Sequence, residues 1–355
     1  MRTLTLRELN RATLARQMLL ERERHPVARA IERLCAIQGQ WSLSPYISLW
    51  SRVEGFERDE LTRAFEKRQV VKATLMRITL HVVSARDFLT LAPIWVEQRR
   101  DEFRRGGQDP DALEKQLRAA LAERHRTHSE LYADLPDVYT WRVRSLVPLV
   151  HVPPSGTWRY HGPTHLTEAE RWLKKKPGDA ANGAKLLVER YLSAFGPASQ
   201  SDLLRFAGLR VKDVKPGLDA LEPRLQRFKS EDGRVLLDLD GAPLPDADTP
   251  APARFLPKWD SSILAYDRRA RILPHEYAKT VIKKNGDVVP TFLVDGRIAG
   301  QWDVQRKKDA ASLTMTPFAK LPRQSKRELE DEAERLVRWH EPDAASYAVS
   351  VAARA

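Results

Sequence analysis

The stretch 185–240 constrains the fold more than any other part of this sequence. An amphipathic helical pattern ends at a Phe-Gly-Pro sequence at 195–197, and two further short helical patterns follow, separated by Gly208. Helices joined by turns this short have the spacing of a helix-turn-helix unit. The apolar runs 225–228 and 235–237 flank a Ser-Glu-Asp-Gly turn and predict a β-hairpin. Three helices followed by a hairpin make a winged helix.

The same order of elements recurs twice upstream, which predicts two further winged helices. The repeat is one of architecture, because no fixed-period sequence identity supports it. The helical patterns that precede each strand-like stretch, at 70–83 and at 152–158, are 5–20, 27–37, 59–67, 112–123, 127–135 and 138–150. The capping-box signal, a Ser or Thr followed three residues later by an acid, occurs at Thr5, Thr127, Thr167, Ser199 and Ser325.

Beyond Pro243 the chain changes character. Five prolines between 243 and 257 indicate a linker, and Asn-Gly and Asp-Gly turns then separate short apolar runs. Such turns favour two-residue hairpins, so we expect a small antiparallel sheet or barrel, with strands at 263–266, 271–273, 281–282, 288–294 and 298–302 and a last helix at 325–339. The predicted fold class is α+β, and the predicted domains are 1–95, 96–175, 180–245 and 250–355.

The charge balance points to a polyanionic partner. Lys and Arg total 60 against 48 Asp and Glu, a formal charge of +12, and binding to phosphates releases counterions. Nucleic acid is therefore the expected partner. The single cysteine, Cys35, excludes a disulfide framework and a multi-thiolate zinc site and favours a reducing compartment. Without an apolar run of about 18 residues or a signal-peptide pattern, we expect a cytoplasmic, nucleoid-associated protein that does not enter membranes.

Known cofactor and metal motifs are missing from the sequence. The nine histidines show no His-x-x-x-His spacing beside a Glu, and neither a Walker loop, a Rossmann glycine fingerprint nor a Gly-x-Ser-x-Gly elbow occurs. We therefore expect no metal site and no cofactor.

Gln38 and Gln40, which flank Gly39, are the first candidate site. On a helix their side chains would point about 200° apart, whereas on an extended segment they share a face. Gly39 and the nearby Pro45 favour a helix end here. Two amides on one face can hold a water or a sugar oxygen, but they are no general acid or base near neutral pH. The alternative is that they are two polar residues at a helix end.

Two further groups are candidate DNA contacts. Lys283, Lys284 and Asn285 lie at a tight hairpin turn, where basic side chains can grip phosphates; such lysines also serve to keep strand edges from aggregating. Arg77 and His81 are four apart in the predicted strand and so face the same side, which also fits a purely structural pairing.

Taken together, several segments resemble the AlkZ-like family of bacterial winged-helix DNA glycosylases over nearly the whole chain. The matching pieces lie at 6–17, 37–40, 75–81, 153–158, 194–199, 255–260 and 295–302. The resemblance implies three tandem winged helices arranged around a C-terminal antiparallel β-barrel. One departure is Ile78, where relatives commonly have Gly, so the path of that strand is expected to differ.

The resemblance also implies a function: monofunctional hydrolysis of the N-glycosidic bond of cationic N7-alkylated guanine, including bulky natural-product adducts and interstrand crosslinks, in base excision repair or antibiotic self-resistance. The family's catalytic motif, Gln, an apolar residue, Gln, falls on Gln38 and Gln40. A related branch carries Asp at the second position, so Gln40 resembles the crosslink branch. The hairpin residues Lys283 and Lys284 would then grip the DNA backbone.

Two other functions remain open at this point. A winged-helix transcriptional regulator fits the stretch 199–221 equally well. Such regulators are usually dimers, however, and no extended heptad is visible, so a monomer on double-stranded DNA is expected. The second is a metal-dependent nuclease, which would lose its activity when a chelator removes the metal.

Overall fold

The computed structural model describes residues 1–136, 140 and 143–352. Its N-terminal part contains four short helices and the first strands of a sheet. The predicted helices begin as expected but end earlier, and a helix after the Gln-Gly-Gln motif was missed. The elements are β1 (Thr3–Leu4), α1 (Leu6–Arg16), α2 (Val27–Arg33), β2 (Ile37–Gln38), α3 (Ser44–Arg52), α4 (Arg58–Glu66), β3 (Val70–Thr74) and β4 (Leu80–Ser84).

The next part of the chain extends the same sheet. Its elements are α5 (Ala85–Arg105), α6 (Pro110–Leu121), β5 (Arg126–Thr127), α7 (His128–Asp134), β6 (Leu149–His151), β7 (His165–Glu168) and α8 (Ala169–Leu173). The strands join in the order β2-β4-β3-β6-β7-β5, and Ala73 opposite Val150 is the connection between the two halves. The hairpins of the first two units therefore form one sheet.

The predicted helix 138–150 is wrong in its described part, which is a 3₁₀ turn (Val143–Ser145) followed by β6; the rest of it lies mostly outside the described residues. The turn and strand allow Leu149 and Val150 to enter the sheet.

The stretch 180–240 has the predicted element order of three helices and a hairpin. The elements are α9 (Ala180–Phe195), α10 (Gln200–Ala207), α11 (Val211–Leu221), β8 (Leu225–Ser230) and β9 (Val235–Leu239). β1 adds to this hairpin in parallel with β8, so the N-terminus is tied to the third unit. A buried ion pair strengthens the connection, because Arg16 of α1 donates to both carboxylate oxygens of Asp238 at 2.6 and 2.8 Å.

The C-terminal part is a five-stranded sheet flanked by helices. Its elements are β10 (Arg254–Leu256), α12 (Ser261–Leu264), α13 (Ala278–Val281), β11 (Thr291–Val294), β12 (Arg297–Lys307), β13 (Ala310–Pro317), α14 (Arg323–His340) and β14 (Ser346–Val351). The strands follow the order β10-β11-β12-β13-β14. The sheet is antiparallel except for β13 and β14, which are parallel. The expectation of an entirely antiparallel sheet is corrected there.

Two predicted strands of this part are wrong, and only Ile282 of a third, 281–282, pairs with another residue. Residues 261–264 form α12 because the Asp260 carboxylate accepts a hydrogen bond from the amide of Ser262 at 2.9 Å and caps the helix. Residues 278–281 form α13, and 271–273 lie in a turn. Apolar runs this short do not distinguish a strand from one buried helical turn.

Three of the five predicted capping boxes are confirmed, at Thr5, Thr127 and Ser199. The other two are wrong because the helices begin elsewhere: Thr167 lies in β7, and α14 begins two residues before Ser325.

α3 connects the N-terminal units to the C-terminal sheet. Buried side chains of α2, α3, α4 and α14 share one hydrophobic cluster with those of β10–β13. At the end of α3, the buried Arg52 donates to Asp260 at 2.9 Å, and Ser51 donates to the carbonyl of Phe255. The segment that carries the two glutamines is thus held against the C-terminal sheet. In the described part of the chain, no helix is long and apolar enough to span a bilayer.

Candidate active site

The Gln-Gly-Gln motif lies on an extended segment directly after a helix end. α2 ends at Arg33, and Cys35 and Ala36 then take the left-handed φ values 56° and 71°. Their amides bond back to Glu32 and Ile31, which closes the helix and releases the chain into β2. The predicted helix end at the motif is confirmed, although the helix ends at Arg33 and not at Ile37. The Cys35 thiol is buried, and burial raises its pKa to about 12, so it stays protonated.

β4 holds both glutamines through backbone and side chain. Gln38 pairs with His81, and the amide of Gly39 donates to the carbonyl of Leu80 at 2.7 Å. The side-chain oxygen of Gln40 accepts from the amide of Leu80 at 3.3 Å. Both glutamines therefore lie against the first residues of β4, where Gln38 is buried and Gln40 is exposed.

Arg77 fixes the side chain of Gln38. Its Nη2 donates to Gln38 Oε1 at 2.9 Å, and its Nη1 donates to the carbonyl oxygen of Phe206. The guanidinium also lies over the Phe206 ring, 5.2 Å from the centroid. Burial, together with the nearby Arg205 and Arg269, lowers the pKa of Arg77 to about 10. Arg77 remains charged at neutral pH, so its bond to Gln38 is charge-assisted.

The backbone at Arg77 is a tight turn and not a strand, which corrects the prediction of a continuous run 70–83. β3 ends at Thr74, and Arg77 and Ile78 have φ values of 53° and 56°. Gly208 packs against this turn, since a Cβ atom there would lie 2.9 Å from the Cα of Arg77. Arg77 and His81 are close together because of the turn, and the expected strand periodicity is not the reason.

His81 is fully buried beneath the motif. Its Nδ1 lies 3.0 Å from the carbonyl oxygen of Thr79, and a carbonyl only accepts, so Nδ1 carries the proton. Nε2 is buried and has no hydrogen-bond partner among the described residues. Burial and the charge of Arg77 lower the pKa of His81 to about 3. The ring is neutral at physiological pH.

The two side-chain amides have a defined orientation. Arg77 and the Leu80 amide are donors only, so Gln38 and Gln40 both turn their oxygens toward the protein. Neither amide nitrogen bonds to a residue that the structure describes. Each glutamine thus keeps two N–H donors and one oxygen lone pair for a ligand. These groups can form hydrogen bonds to a water molecule and to sugar oxygens.

The basic turn is fastened to the segment that follows the motif. Lys283 and Lys284 are exposed and have no ion-pair partner in the described residues. The Asn285 side chain accepts from the Asp287 amide at 3.1 Å and so shapes the turn. Residues Ile282 and Val288 form a single bridge beneath it, which makes the predicted hairpin short.

Two neighbouring residues anchor this turn. Trp259 Nε1 donates to the carbonyl of Gly286 at 3.0 Å, and Lys258 pairs with Asp287 at 3.0 Å. The carbonyl of Lys258 in turn accepts from the Ser44 hydroxyl at 2.8 Å, four residues beyond Gln40. This connection is not predicted by the sequence pattern, although 255–260 is one of the segments that carry the resemblance.

Arg77 and His81 were expected to contact DNA, and this stays a prediction. In the structure the side chain of Arg77 bonds to Gln38 and Phe206, and that of His81 bonds to Thr79. Sequence reasoning also missed Lys72, whose side chain is buried beside Gly39. The available signal was a lone lysine in the apolar run Val-Val-Lys-Ala.

Within the described residues, no three His, Cys, Asp or Glu side chains form a group that would hold a metal ion.

Comparisons with known proteins agree with the predicted family. A family model described as DNA glycosylase AlkZ-like matches residues 31–339, a span that includes both glutamines and the basic turn. An interstrand DNA cross-link repair glycosylase from Streptomyces sahachiroi is 24% identical over 362 residues, which cover 91% of this chain and 93% of that protein. The solved structure of the Streptomyces sahachiroi DNA glycosylase AlkZ matches with a TM-score of 0.79 and 19% identity, covering 99% of this chain and 100% of that one. At this identity the structural match shows a shared fold.

Proposed function

Since this chain belongs to the AlkZ-like family and is a DNA glycosylase, we propose that it hydrolyses the N-glycosidic bond of cationic N7-alkylated guanine in duplex DNA, with Gln38 and Gln40 at the reacting sugar. The observation that carries the proposal is the fixed orientation of the two amides. Their oxygens are bound by Arg77 and Leu80, and their nitrogens have no partner in the described residues.

The chemistry of the lesion matches a site built from amides. N7-alkylguanine is already cationic and leaves as a neutral base, so no general acid has to protonate it. The enzyme has to hold a water molecule in line with C1′ and to stabilise an oxocarbenium-like sugar by oriented dipoles. In this proposal the free lone pair of one amide oxygen orients the water, and the N–H donors contact the deoxyribose.

We extend the proposal to bulky and crosslinked adducts. The Streptomyces sahachiroi relative is named for interstrand cross-link repair, and Gln40 keeps the second amide of the motif. A base tied to both strands cannot rotate into a closed pocket as a flipped base does. An exposed Gln40 fits a reaction carried out in an open cleft. Self-resistance and general repair are both compatible with this activity.

The basic turn supplies the proposed grip on the DNA backbone. Lys283 and Lys284 are exposed and unpaired within the described residues, and Asn285 holds the turn in shape. Because Trp259 and Lys258 connect the turn to Ser44, a phosphate bound there is in a fixed relation to the motif. Arg77 and His81 support Gln38 in this proposal. The enzyme acts as a monofunctional monomer without metal or cofactor.

The test is base release from duplex DNA that contains N7-methylguanine or an N7-linked interstrand crosslink, with EDTA present. We expect release by the wild type and its loss in Gln38→Ala and Gln40→Ala. Gln69→Ala, which removes an exposed amide just before β3, is the matched control and keeps full activity. Release that survives in both motif variants would refute the assignment. Tight binding to one undamaged sequence without any release would favour the transcriptional regulator, and activity that EDTA abolishes would favour the nuclease.

A further inference from the structure

Lys72 is a buried cation beside the motif, and it has no partner among the described residues. It lies in the middle of β3, opposite Val82 of β4, and only 6% of the residue is exposed. Within the described residues its ammonium has neither a hydrogen bond nor an ion pair. Taking an ammonium out of water without compensation costs several kcal/mol. An ammonium in this position is therefore a candidate for binding an anionic ligand.

The side chain of Lys72 runs between the backbones of two glycines. A Cβ atom on Gly156 would lie 2.7 Å from Lys72 Cδ, and one on Gly39 would lie 3.6 Å from Lys72 Cε. The stem is therefore held between the loop after β6 and the middle residue of the motif. Gly39 leaves room for the end of this side chain, which places the ammonium beside the Gln38–Gln40 backbone.

The ammonium keeps access to solvent. The fully buried polar atoms without partners include His81 Nε2 and Trp158 Nε1 but not Lys72 Nζ. Lys72 Nζ makes no hydrogen bond within the described residues, so it would belong to this group if it were fully buried. Part of the Nζ surface is therefore exposed, and this part of the ammonium is accessible from outside the protein.

The groups around Lys72 do not neutralise it. His151 on the neighbouring strand bonds through Nδ1 to the Ser155 hydroxyl at 3.0 Å, and burial, Lys72, His128 and Arg144 hold the pKa of His151 well below its usual value. His151 is therefore neutral. Burial alone lowers the pKa of Lys72, to about 8, so most molecules carry the charge at pH 7. Among the residues that the structure describes, no carboxylate pairs with the Lys72 ammonium.

We propose that Lys72 is a phosphate-binding residue of the DNA cleft, where its ammonium receives a backbone phosphate next to the damaged nucleotide. This inference rests on the proposed function. A phosphate at this position supplies the missing counter-charge, and it fixes the damaged sugar relative to Gln38 and Gln40. It also prevents an unpaired cation from opposing the positive charge that develops on the sugar.

The experiment measures DNA binding, which needs no turnover. The probe is a fluorescent 21-base-pair duplex with a tetrahydrofuran abasic-site analogue, titrated at several KCl concentrations. One phosphate contact contributes about 0.9 to the slope of log K against log salt concentration. We expect Lys72→Met to reduce the slope by about 0.9, which corresponds to about eightfold over a tenfold range of salt. Lys72→Arg, which keeps the charge, restores the slope.

Two controls separate this role from a structural one. Lys67→Met removes the same charge from an exposed lysine in the same unit and should change the slope less than Lys72→Met. Lys72→Met should melt at the wild-type temperature or above it, because an apolar side chain replaces an uncompensated charge. Lys72→Gln is the second neutral variant. An unchanged slope in a folded Met or Gln variant overturns the proposal.

Base release by the wild type is measured separately on N7-methylguanine DNA. If base is released and the slope is unchanged in the variants, the phosphate site is wrong while the proposed function holds. If the slope falls but the wild type releases no base, Lys72 binds DNA and the proposed reaction is wrong.

Discussion

Replacing Arg77 with Met tests whether this residue positions Gln38 or binds DNA. In the structure its guanidinium donates to Gln38 Oε1 at 2.9 Å and to the carbonyl of Phe206. Methionine fills much of the same space but donates no hydrogen bond. The Gln38 amide then rotates freely, and its nitrogen is no longer directed away from the turn. A DNA contact is the role expected from the sequence, and the two roles predict different effects of this substitution.

The size of the effect follows from the bond that is lost. A hydrogen bond to a charged group contributes about 1.5–3 kcal/mol. If that energy serves to orient Gln38 in the transition state, its loss slows base release by about tenfold to about 150-fold, because each 1.36 kcal/mol is a factor of ten. Affinity for DNA should stay within about threefold of the wild type, since the guanidinium is used inside the protein.

The assay is single-turnover base release with enzyme in excess, which reports the chemical step, together with anisotropy on the abasic-site duplex. Arg205→Met is the matched control, because Arg205 acts on the charge of Arg77 but does not touch Gln38. It removes one positive charge and should leave the rate near the wild-type value. A normal rate in Arg77→Met, combined with weakened binding, would refute the positioning role and restore the DNA contact.

Two further predictions concern stability. Ile78→Gly should change the free energy of unfolding by no more than about 1 kcal/mol in urea titrations, because relief of the strained φ of 56°, worth about 1–2 kcal/mol, offsets the loss of a half-buried side chain. Leu80→Gly relieves no such strain and should cost about 2–3 kcal/mol. Equal losses in the two variants would show that the backbone of Ile78 is not strained. Burial lowers the pKa of His81 to about 3, so between pH 6.5 and 3 the unfolded state binds more protons, and stability that is present above pH 6.5 is lost as the pH falls. Between pH 7 and 5 this amounts to about 2 kcal/mol, and His81→Asn should lose that much less stability than the wild type over this range, whereas His161→Asn, at an exposed histidine, should behave as the wild type does.

Local signals in the sequence predicted the helices of the stretch 180–240 and the helix end at the motif, but they missed α3. The stretch 180–240 has its three helices and hairpin where turn residues and helical periodicity predicted them. The motif is extended because Cys35 and Ala36 end the helix, and the sequence indicated this only through Gly39 and Pro45. The capping signals at Thr167 and Ser325 were misleading because strand pairing and an earlier helix start took precedence.

Contacts between distant segments were beyond reach of the sequence pattern. The pairing of Ala73 with Val150 joins two hairpins, and nothing in either strand specifies its partner. The bond from Arg77 to Gln38 depends on a turn with two left-handed residues, one of them a β-branched Ile, which periodicity reads as continuous strand. Residues of this kind are tolerated where the surrounding structure compensates for the strain, and Gly208 and Phe206 provide that support here.

The charges around the motif decide which leaving groups such a site can handle. Gln38 and Gln40 are neutral, His81 is neutral above about pH 3, and the nearest titratable partners, Arg77 and Lys72, are cations. In the described part of the chain, no carboxylate bonds to either glutamine, so the protein offers an oxocarbenium-like sugar only amide dipoles. In the proposed reaction, the missing negative charge comes from DNA phosphates, one of which the Lys72 ammonium would hold beside the motif. A cationic N7-alkylguanine leaves as a neutral base and needs no proton, which suits a motif of two amides that are not acids near neutral pH.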